Sequence, residues 1–152
     1  MNTTKLVTLV LADDYAIVRE GIAAFCGSRP DLKILAQSAD GEEAVELILA
    51  LKPDFAVLDL NLPKLSGLEV ILRVRQAKSE TKLVVLSVSR DESVIRELFR
   101  SGANGYVLNN ITDNQIIEDG FFFVRCVARL DNEDQRICGA HVKNGKMPRK
   151  AR

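Results

Sequence analysis

The sequence of 152 residues has no tryptophan, a single histidine and only three cysteines, and it contains no long apolar run. None of its apolar stretches approaches the roughly eighteen residues that a membrane-spanning helix needs. The short apolar stretch near the N terminus ends in two aspartates, which is atypical of a signal peptide. These absences argue against membrane and secreted proteins, and they predict a cytoplasmic one.

The cysteines do not suggest a disulfide framework or a structural zinc site. Their number is odd and no Cys-x-x-Cys pair occurs, so reduced thiols are expected. Cys126, Cys138 and His141 come nearest to a ligand set, but their spacing matches no structural zinc pattern.

An excess of charge of one sign is also missing, although the charges are unevenly placed. The chain has 21 basic and 21 acidic residues, yet residues 131–152 contain six bases against three acids. A basic end can attract nucleic acid or an acidic partner, but a solvated terminus explains it more simply. We therefore expect a folded domain at residues 1–128 and a basic tail at 129–152. The tail has no apolar period for a recognition helix, so sequence-specific DNA binding is not expected.

What the sequence does contain is an alternation of strand-like and helix-like patterns, in a chain that is 47% hydrophobic. Strand-like apolar runs are predicted at residues 6–12, 32–38, 55–58, 82–86 and 105–108. Apolar residues at helical spacing follow each run: Val18, Ile22 and Phe25; Val45, Ile48 and Leu49; Leu68, Ile71 and Leu72; Ile95, Leu98 and Phe99; Ile116, Gly120, Phe123 and Val127. Five such units with short loops predict an α/β fold, a parallel sheet with helices on both faces.

Polar side chains stand where four of the predicted strands end. Asp13 and Asp14 follow the first strand, and Asp59, Ser87 and Asn109 follow the third, fourth and fifth. The carboxyl ends of parallel strands line one crevice, where ligands bind. Three carboxylates in one crevice repel each other unless a cation joins them. The pattern therefore predicts a site for a divalent metal and a phosphoryl group.

Four motifs carry a resemblance to a known family. They lie at residues 11–21, at 57–67, at 84–89 and at 102–108. In this order and spacing, the chain resembles the receiver domains of two-component response regulators, within the NarL/FixJ-like group. The resemblance covers residues 5 to about 128. It implies a flavodoxin-like (βα)5 doubly wound sheet with strand order 2-1-3-4-5.

The resemblance also implies a role for each polar residue of the crevice. Asp59 would accept a phosphoryl group from a sensor histidine kinase or a phosphotransfer protein. Asp13, Asp14, Asp59 and the backbone carbonyl of Asn61 would hold Mg²⁺, which prefers hard oxygen ligands. Ser87 would donate its hydroxyl to a phosphoryl oxygen. Read from the residues alone, the two adjacent aspartates also fit a solvated turn, and the serine fits a capping hydroxyl at a strand end.

Asn109 departs from the family pattern, which has a lysine at this position. An asparagine amide donates hydrogen bonds but supplies no charge, and a unit charge at about 4 Å is worth a few kcal/mol at an effective dielectric near 20. We expect this replacement to weaken the stabilisation of an acyl phosphate and the coupling of phosphorylation to a change of shape.

The output side of the domain is predicted from three aromatic residues. Tyr106 corresponds to a family aromatic that rotates inward as the hydroxyl residue moves, although a half-exposed strand aromatic that never moves fits the sequence equally well. Phe121 and Phe122 belong to a run of aromatics too apolar for one buried stripe. One of them is expected to face outward, on the helix 4–strand 5–helix 5 surface that would support a homodimer. A long buried helix end is the alternative.

Three classes of function are compatible with these residues. The favoured class is a phosphoacceptor signalling domain, and the second is a degenerate receiver that works as a phosphorylation-independent interaction module. The third is an aspartyl-phosphate hydrolase of the haloacid-dehalogenase type, which needs a second acid where this chain has Asn61. Full-length NarL/FixJ-like regulators add a C-terminal helix-turn-helix domain. Residues 129–152 are too few for that domain, so a single-domain regulator or a truncated relative is expected.

Overall fold

The computed structural model describes residues 6–87, 89 and 91–108. They form a five-stranded, wholly parallel sheet with strand order β2-β1-β3-β4-β5. The strands are β1 (Val7–Ala12), β2 (Leu32–Ser38), β3 (Phe55–Asp59), β4 (Lys82–Ser87) and β5 (Gly105–Leu108). The helices are α1 (Ala16–Gly27), α2 (Gly41–Leu51), α3 (Gly67–Gln76) and α4 (Glu92–Ser101). The predicted fold class and strand order are confirmed.

Two apolar layers enclose the sheet because successive side chains of a strand point to opposite faces. One layer includes Val10, Ala56, Leu58, Leu83 and Val85, and it packs against α2, α3 and α4. The other layer packs against α1; its strand residues are Leu9, Leu11, Phe55, Val57, Val84, Leu86 and Val107. Since both faces are buried, the strands read as continuous apolar runs.

Three helices begin at side-chain caps that the sequence supplies. Asp40 accepts a hydrogen bond from the backbone N–H of Glu43, 2.8 Å from its Oδ1, at the start of α2. Ser66 and Glu69 form a reciprocal capping box at the start of α3, and Asp91 caps α4. Each cap satisfies N–H groups that have no partner within the helix. The caps therefore place the helix starts, and with them the loops at the carboxyl edge of the sheet.

The predicted burial of two helix residues is wrong. Leu72 of α3 is 43% exposed and Leu49 of α2 is 36% exposed. Helix α3 carries apolar residues on more than one side, and the face against the sheet is the one with Val70, Ile71 and Val74. The helical period alone does not decide which of two overlapping stripes is buried.

The predicted strand ends are correct to within one residue. The first strand begins at Val7 instead of Leu6, while β3 and β4 each extend one residue further, to Asp59 and Ser87. None of the helices among the described residues is long and apolar enough to cross a membrane. The predicted fifth helix, the tail at 129–152 and the residues Asn109, Phe121 and Phe122 lie outside the described residues.

Candidate functional site

The pairing of β1 with β3 brings the three predicted aspartates together. Ala12 lies opposite Leu58 in the parallel register, so the residues that follow each of them emerge at the same edge of the sheet. One carboxylate oxygen from each of Asp13, Asp14 and Asp59 lies within 4.8 Å of the other two. We call these three residues the acidic cluster.

Asp13 is the most enclosed member of the acidic cluster, with 5% of its surface exposed. Burial raises its pKa to about 6, and the charges of Asp59 and Asp14 act in the same direction. The backbone N–H of Tyr15, 2.8 Å from Oδ1, and the charge of Arg19 oppose this shift. Arg19 also donates a hydrogen bond to the backbone carbonyl of Asp13. A carboxyl group held in this way favours a compensating cation.

Asp59 ends the central strand β3 and is partly buried. Burial raises the pKa of Asp59. The negative charge of Asp14 raises it further, as does a hydrogen bond between the Asp14 and Asp59 side chains. The backbone N–H of Asn61 lies 3.2 Å from Oδ1 of Asp59 and opposes the shift. The carboxyl group is therefore accessible at the sheet edge while its orientation is controlled by its own loop.

The start of α3 lies directly against the backbone of Asp59. The N–H of Gly67 donates to the carbonyl of Leu60 at 2.9 Å. A Cβ atom at Gly67 would come within 2.6 Å of the Asp59 carbonyl oxygen. This approach requires glycine at position 67, because any larger residue would displace the end of β3.

A second polar group consists of Ser87, Ser89 and Tyr106. Ser87 ends β4, the strand that pairs with β3, which carries Asp59 of the acidic cluster. Ser87 is buried at the end of β4, and its Oγ accepts a hydrogen bond from the N–H of Ser89 at 3.1 Å. The Tyr106 hydroxyl donates to the carbonyl of Ser89. Burial raises the pKa of Tyr106, while a hydrogen bond with Ser87 opposes the rise. Tyr106 is only 1% exposed. The alternative that the sequence left open, a half-exposed aromatic on the strand, is therefore wrong.

Two exposed apolar side chains beside the acidic cluster were missed by the sequence reasoning. Tyr15 is 59% exposed and Ile17 is 60% exposed, at the beginning of α1. Their position immediately after Asp13-Asp14 was the available signal. The helical spacing puts Ile17 next to the stripe of Val18 and Ile22, yet its side chain stays exposed.

Comparison with known proteins assigns the family. The response regulator receiver domain matches residues 9–119, and the chain belongs to this family. It is 34% identical over 118 residues to the transcriptional regulatory protein DegU of Brevibacillus brevis, covering 78% of this chain and 50% of that protein. It is 37% identical over 110 residues to the oxygen regulatory protein NreC of Staphylococcus epidermidis, covering 72% and 50%. The chain thus spans about half the length of the curated relatives it matches.

Solved structures agree with this assignment. The response regulator domain of Thermotoga maritima CheB is 25% identical, with a TM-score of 0.78 over 86% of this chain and 99% of that one. A LuxR-family two-component response regulator from Aurantimonas is 28% identical, with a TM-score of 0.74 over 86% and 89%. Receiver domains are signalling modules of two-component systems, and they bind Mg²⁺ in an acidic pocket.

The donor set of the acidic cluster fits such an ion. Three carboxylates within 4.8 Å of one another supply hard oxygen ligands. The pKa of Asp13 is raised mainly by burial, and the charges of Asp59 and Asp14 raise it further. The carbonyl of Asn61 as a fourth ligand stays a prediction. Asn109 lies outside the described residues, so its relation to Asp59 also stays a prediction.

Proposed function

We propose that the chain is a phosphoacceptor in two-component signal transduction, and that Asp59 takes a phosphoryl group from a histidine kinase or a phosphotransfer protein in the cytoplasm. The supporting observation is the position of Asp59 at the carboxyl end of the central strand, with Asp13 and Asp14 beside it.

The transfer is a displacement at phosphorus. A carboxylate oxygen of Asp59 attacks the phosphorus of a phosphohistidine, and a P–O bond forms while the P–N bond breaks. The electron pair of the broken bond stays on the imidazole nitrogen, and the ring leaves as neutral imidazole when its other nitrogen carries a proton. Asp13, Asp14 and Asp59 would hold the Mg²⁺, which supplies charge stabilisation for the phosphoryl oxygens.

The protein's own contacts orient the acceptor for this attack. The N–H of Asn61 restrains Oδ1 of Asp59 at 3.2 Å, and the Gly67–Leu60 hydrogen bond restrains the backbone that follows. The hydroxyl of Ser87, at the end of the neighbouring strand β4, would bind a phosphoryl oxygen. Such positioning converts an encounter between two molecules into a reaction at fixed geometry.

The exposed pair Tyr15 and Ile17 supports a protein as the phosphoryl donor. Both side chains are more than half exposed beside the acidic cluster, where a partner protein could pack against them. A helix of the donor protein that packs on them would deliver its histidine close to the acidic cluster. Acetyl phosphate, which is too small to use this surface, would react without it.

The decisive experiment measures the intact mass of the chain after incubation with acetyl phosphate and Mg²⁺. We expect a gain of one phosphoryl group in the parent chain and none in Asp59→Asn. Removal of Mg²⁺ with a chelator should abolish the gain. Tyr15→Ala with Ile17→Ala should keep the reaction with acetyl phosphate and slow transfer from a phosphorylated kinase.

One observation favours a second function, that of a phosphorylation-independent interaction module. Tyr106 is fully buried and bonded to the Ser89 carbonyl, which is the inward position that the family associates with its switch. A chain that holds this tyrosine inward by its own hydrogen bond would need no phosphoryl group to present the helix 4–strand 5–helix 5 surface to a partner. If no adduct forms with acetyl phosphate or with any phosphorylated kinase, this second function replaces the first.

A further inference from the structure

The loop that follows Asp59 contains a strained turn. The N–H of Leu65 donates to the carbonyl of Pro63 at 2.8 Å, and Lys64 between them has a left-handed φ of 68°. A hydrogen bond from residue i+2 to residue i around a left-handed centre is a rare turn that costs energy for any residue with a Cβ atom. Something outside the turn must hold it in place.

The first residue of α2 provides that support. The N–H of Gly41 donates to the same Pro63 carbonyl at 3.0 Å. A Cβ atom at Gly41 would lie 2.0 Å from the Leu65 carbonyl oxygen and 2.7 Å from the Leu65 Cβ. Because the nearest atom belongs to the backbone, the loop itself would have to move to make room for a methyl group.

An ion pair and two buried anchors complete the contact. The Lys64 Nζ lies 3.8 Å from a carboxylate oxygen of Asp40, the residue that caps α2. Leu62 and Leu65, on either side of the turn, are 7% and 8% exposed and belong to the core. The loop is therefore restrained over Leu62–Leu65, immediately after Asn61.

We propose that Gly41 is a positioning residue for the metal and phosphoryl site, acting through the Pro63–Leu65 turn. The inference rests on the proposed function, since it concerns the Mg²⁺ of that site. The turn begins two residues after Asn61, whose N–H orients Asp59 and whose carbonyl is the expected fourth ligand. A displaced turn would shift both groups of Asn61 without touching the acidic cluster. Glycine at position 41 lets α2 approach closely enough to prevent this.

The test compares two glycine-to-alanine variants by calorimetric titration with Mg²⁺, since the chain has no tryptophan to report binding. Gly41→Ala should weaken Mg²⁺ binding about tenfold. This is the lower end of the loss caused by substituting residues that support metal ligands. Gly27→Ala is the matched control, because an added Cβ there meets nothing within 4 Å. It should bind Mg²⁺ as the parent chain does. Equal Mg²⁺ affinity in Gly41→Ala and the parent would overturn the inference.

A second pair of variants separates positioning from a loss of folding. Lys64→Asn and Lys64→Gly both remove the charge, but only glycine frees the backbone of the turn. Lys64→Gly should bind Mg²⁺ about threefold more weakly than Lys64→Asn, while its thermal midpoint is equal or higher. A purely structural role would move affinity and stability in the same direction. Equal affinities in this pair would overturn the inference even where Gly41→Ala does not fold.

The proposed function fails in a different way. If the parent chain itself does not bind Mg²⁺, the metal site is wrong and the inference falls with it. If the parent binds Mg²⁺ and only the comparison between variants shows no difference, the metal site stands and the role of Gly41 is rejected.

Discussion

Asp13 shows at the scale of one residue how the site is prepared for a cation. Its carboxyl group is buried beside Asp14 and Asp59, and its pKa is raised to about 6. The unfolded chain would have an ordinary aspartate pKa near 4. The folded state therefore holds the proton more tightly than the unfolded state.

The sign of the pH dependence follows from this difference. Without metal, stability should fall as the pH rises from about 4 through about 6, because only the unfolded state loses its proton easily in that range. Asp13→Asn should reduce this dependence, leaving the part that comes from Asp59, whose pKa is also raised by burial. It should stabilise the metal-free protein at pH 7 by roughly 1 to 3 kcal/mol. Urea denaturation at pH 4, 5, 6 and 7 measures both effects. An unchanged pH profile in the variant would contradict the assignment.

Asn109 is the second residue whose chemistry can be tested alone. Asn109→Lys restores the cation that the family carries there, and a cation beside Asp59 would lower the pKa of that carboxyl group. We expect beryllofluoride with Mg²⁺ to produce larger amide NMR shifts at Ser87 and Tyr106 in the variant than in the parent chain. Equal shifts would show that Asn109 does not weaken the response. This would follow if Arg90, which also lies outside the described residues, already supplied the positive charge.

At the scale of secondary-structure elements, Arg75 joins four pieces of the fold at the edge opposite the acidic cluster. Its guanidinium donates to the carbonyls of Ser79 and Thr81 at 2.8 and 2.9 Å. It also donates twice to the carbonyl of Gly102 and once to the side chain of Asn104. The Asn104 oxygen in turn accepts from the N–H of Leu83 at 2.8 Å. The ends of α3 and α4 are thereby tied to the starts of β4 and β5.

This arrangement predicts that arginine is required at position 75. An ammonium group cannot reproduce five donors in a planar fork, so Arg75→Lys should lower the free energy of unfolding by about 2 kcal/mol, the scale of hydrogen bonds to a charged group. Arg73→Lys is the control, because Arg73 lies in the same turn of α3 and is exposed. The two variants are compared by urea denaturation. Equal losses would mean that the contacts of Arg75 contribute nothing of their own.

At the scale of the whole molecule, the distribution of charge predicts how the chain meets nucleic acid. The six bases and three acids of residues 131–152 are the basic excess of a chain with zero net charge. Any binding to DNA through them should depend little on sequence and weaken steeply as salt rises. Fluorescence anisotropy with two unrelated duplexes at two salt concentrations measures this. A preference for one duplex that survives physiological salt would contradict the expectation for the tail.

Much of the fold follows from local patterns that need no tertiary information. Continuous apolar strands predict a sheet buried on both faces, and Asp40, Ser66 and Asp91 cap helices because short polar side chains reach the free N–H groups. The acidic cluster could also be predicted, since Asp13, Asp14 and Asp59 end strands whose carboxyl ends share one edge. Local patterns therefore determined the fold class and the identity of the proposed site residues. The strand order was predicted from the resemblance to receiver domains.

Other features were decided only by packing between distant parts of the chain. The burial of Val70 and Val74 instead of Leu72 depends on which side of α3 meets the sheet. The inward position of Tyr106 depends on the carbonyl of Ser89, and the need for glycine at position 41 depends on the backbone of Leu65. No residue pattern near Gly41 or Tyr106 records these partners. The sequence by itself determined what each segment becomes and where its polar groups emerge, and the tertiary structure decided which backbone atoms those segments meet, because such contacts join residues far apart in the chain.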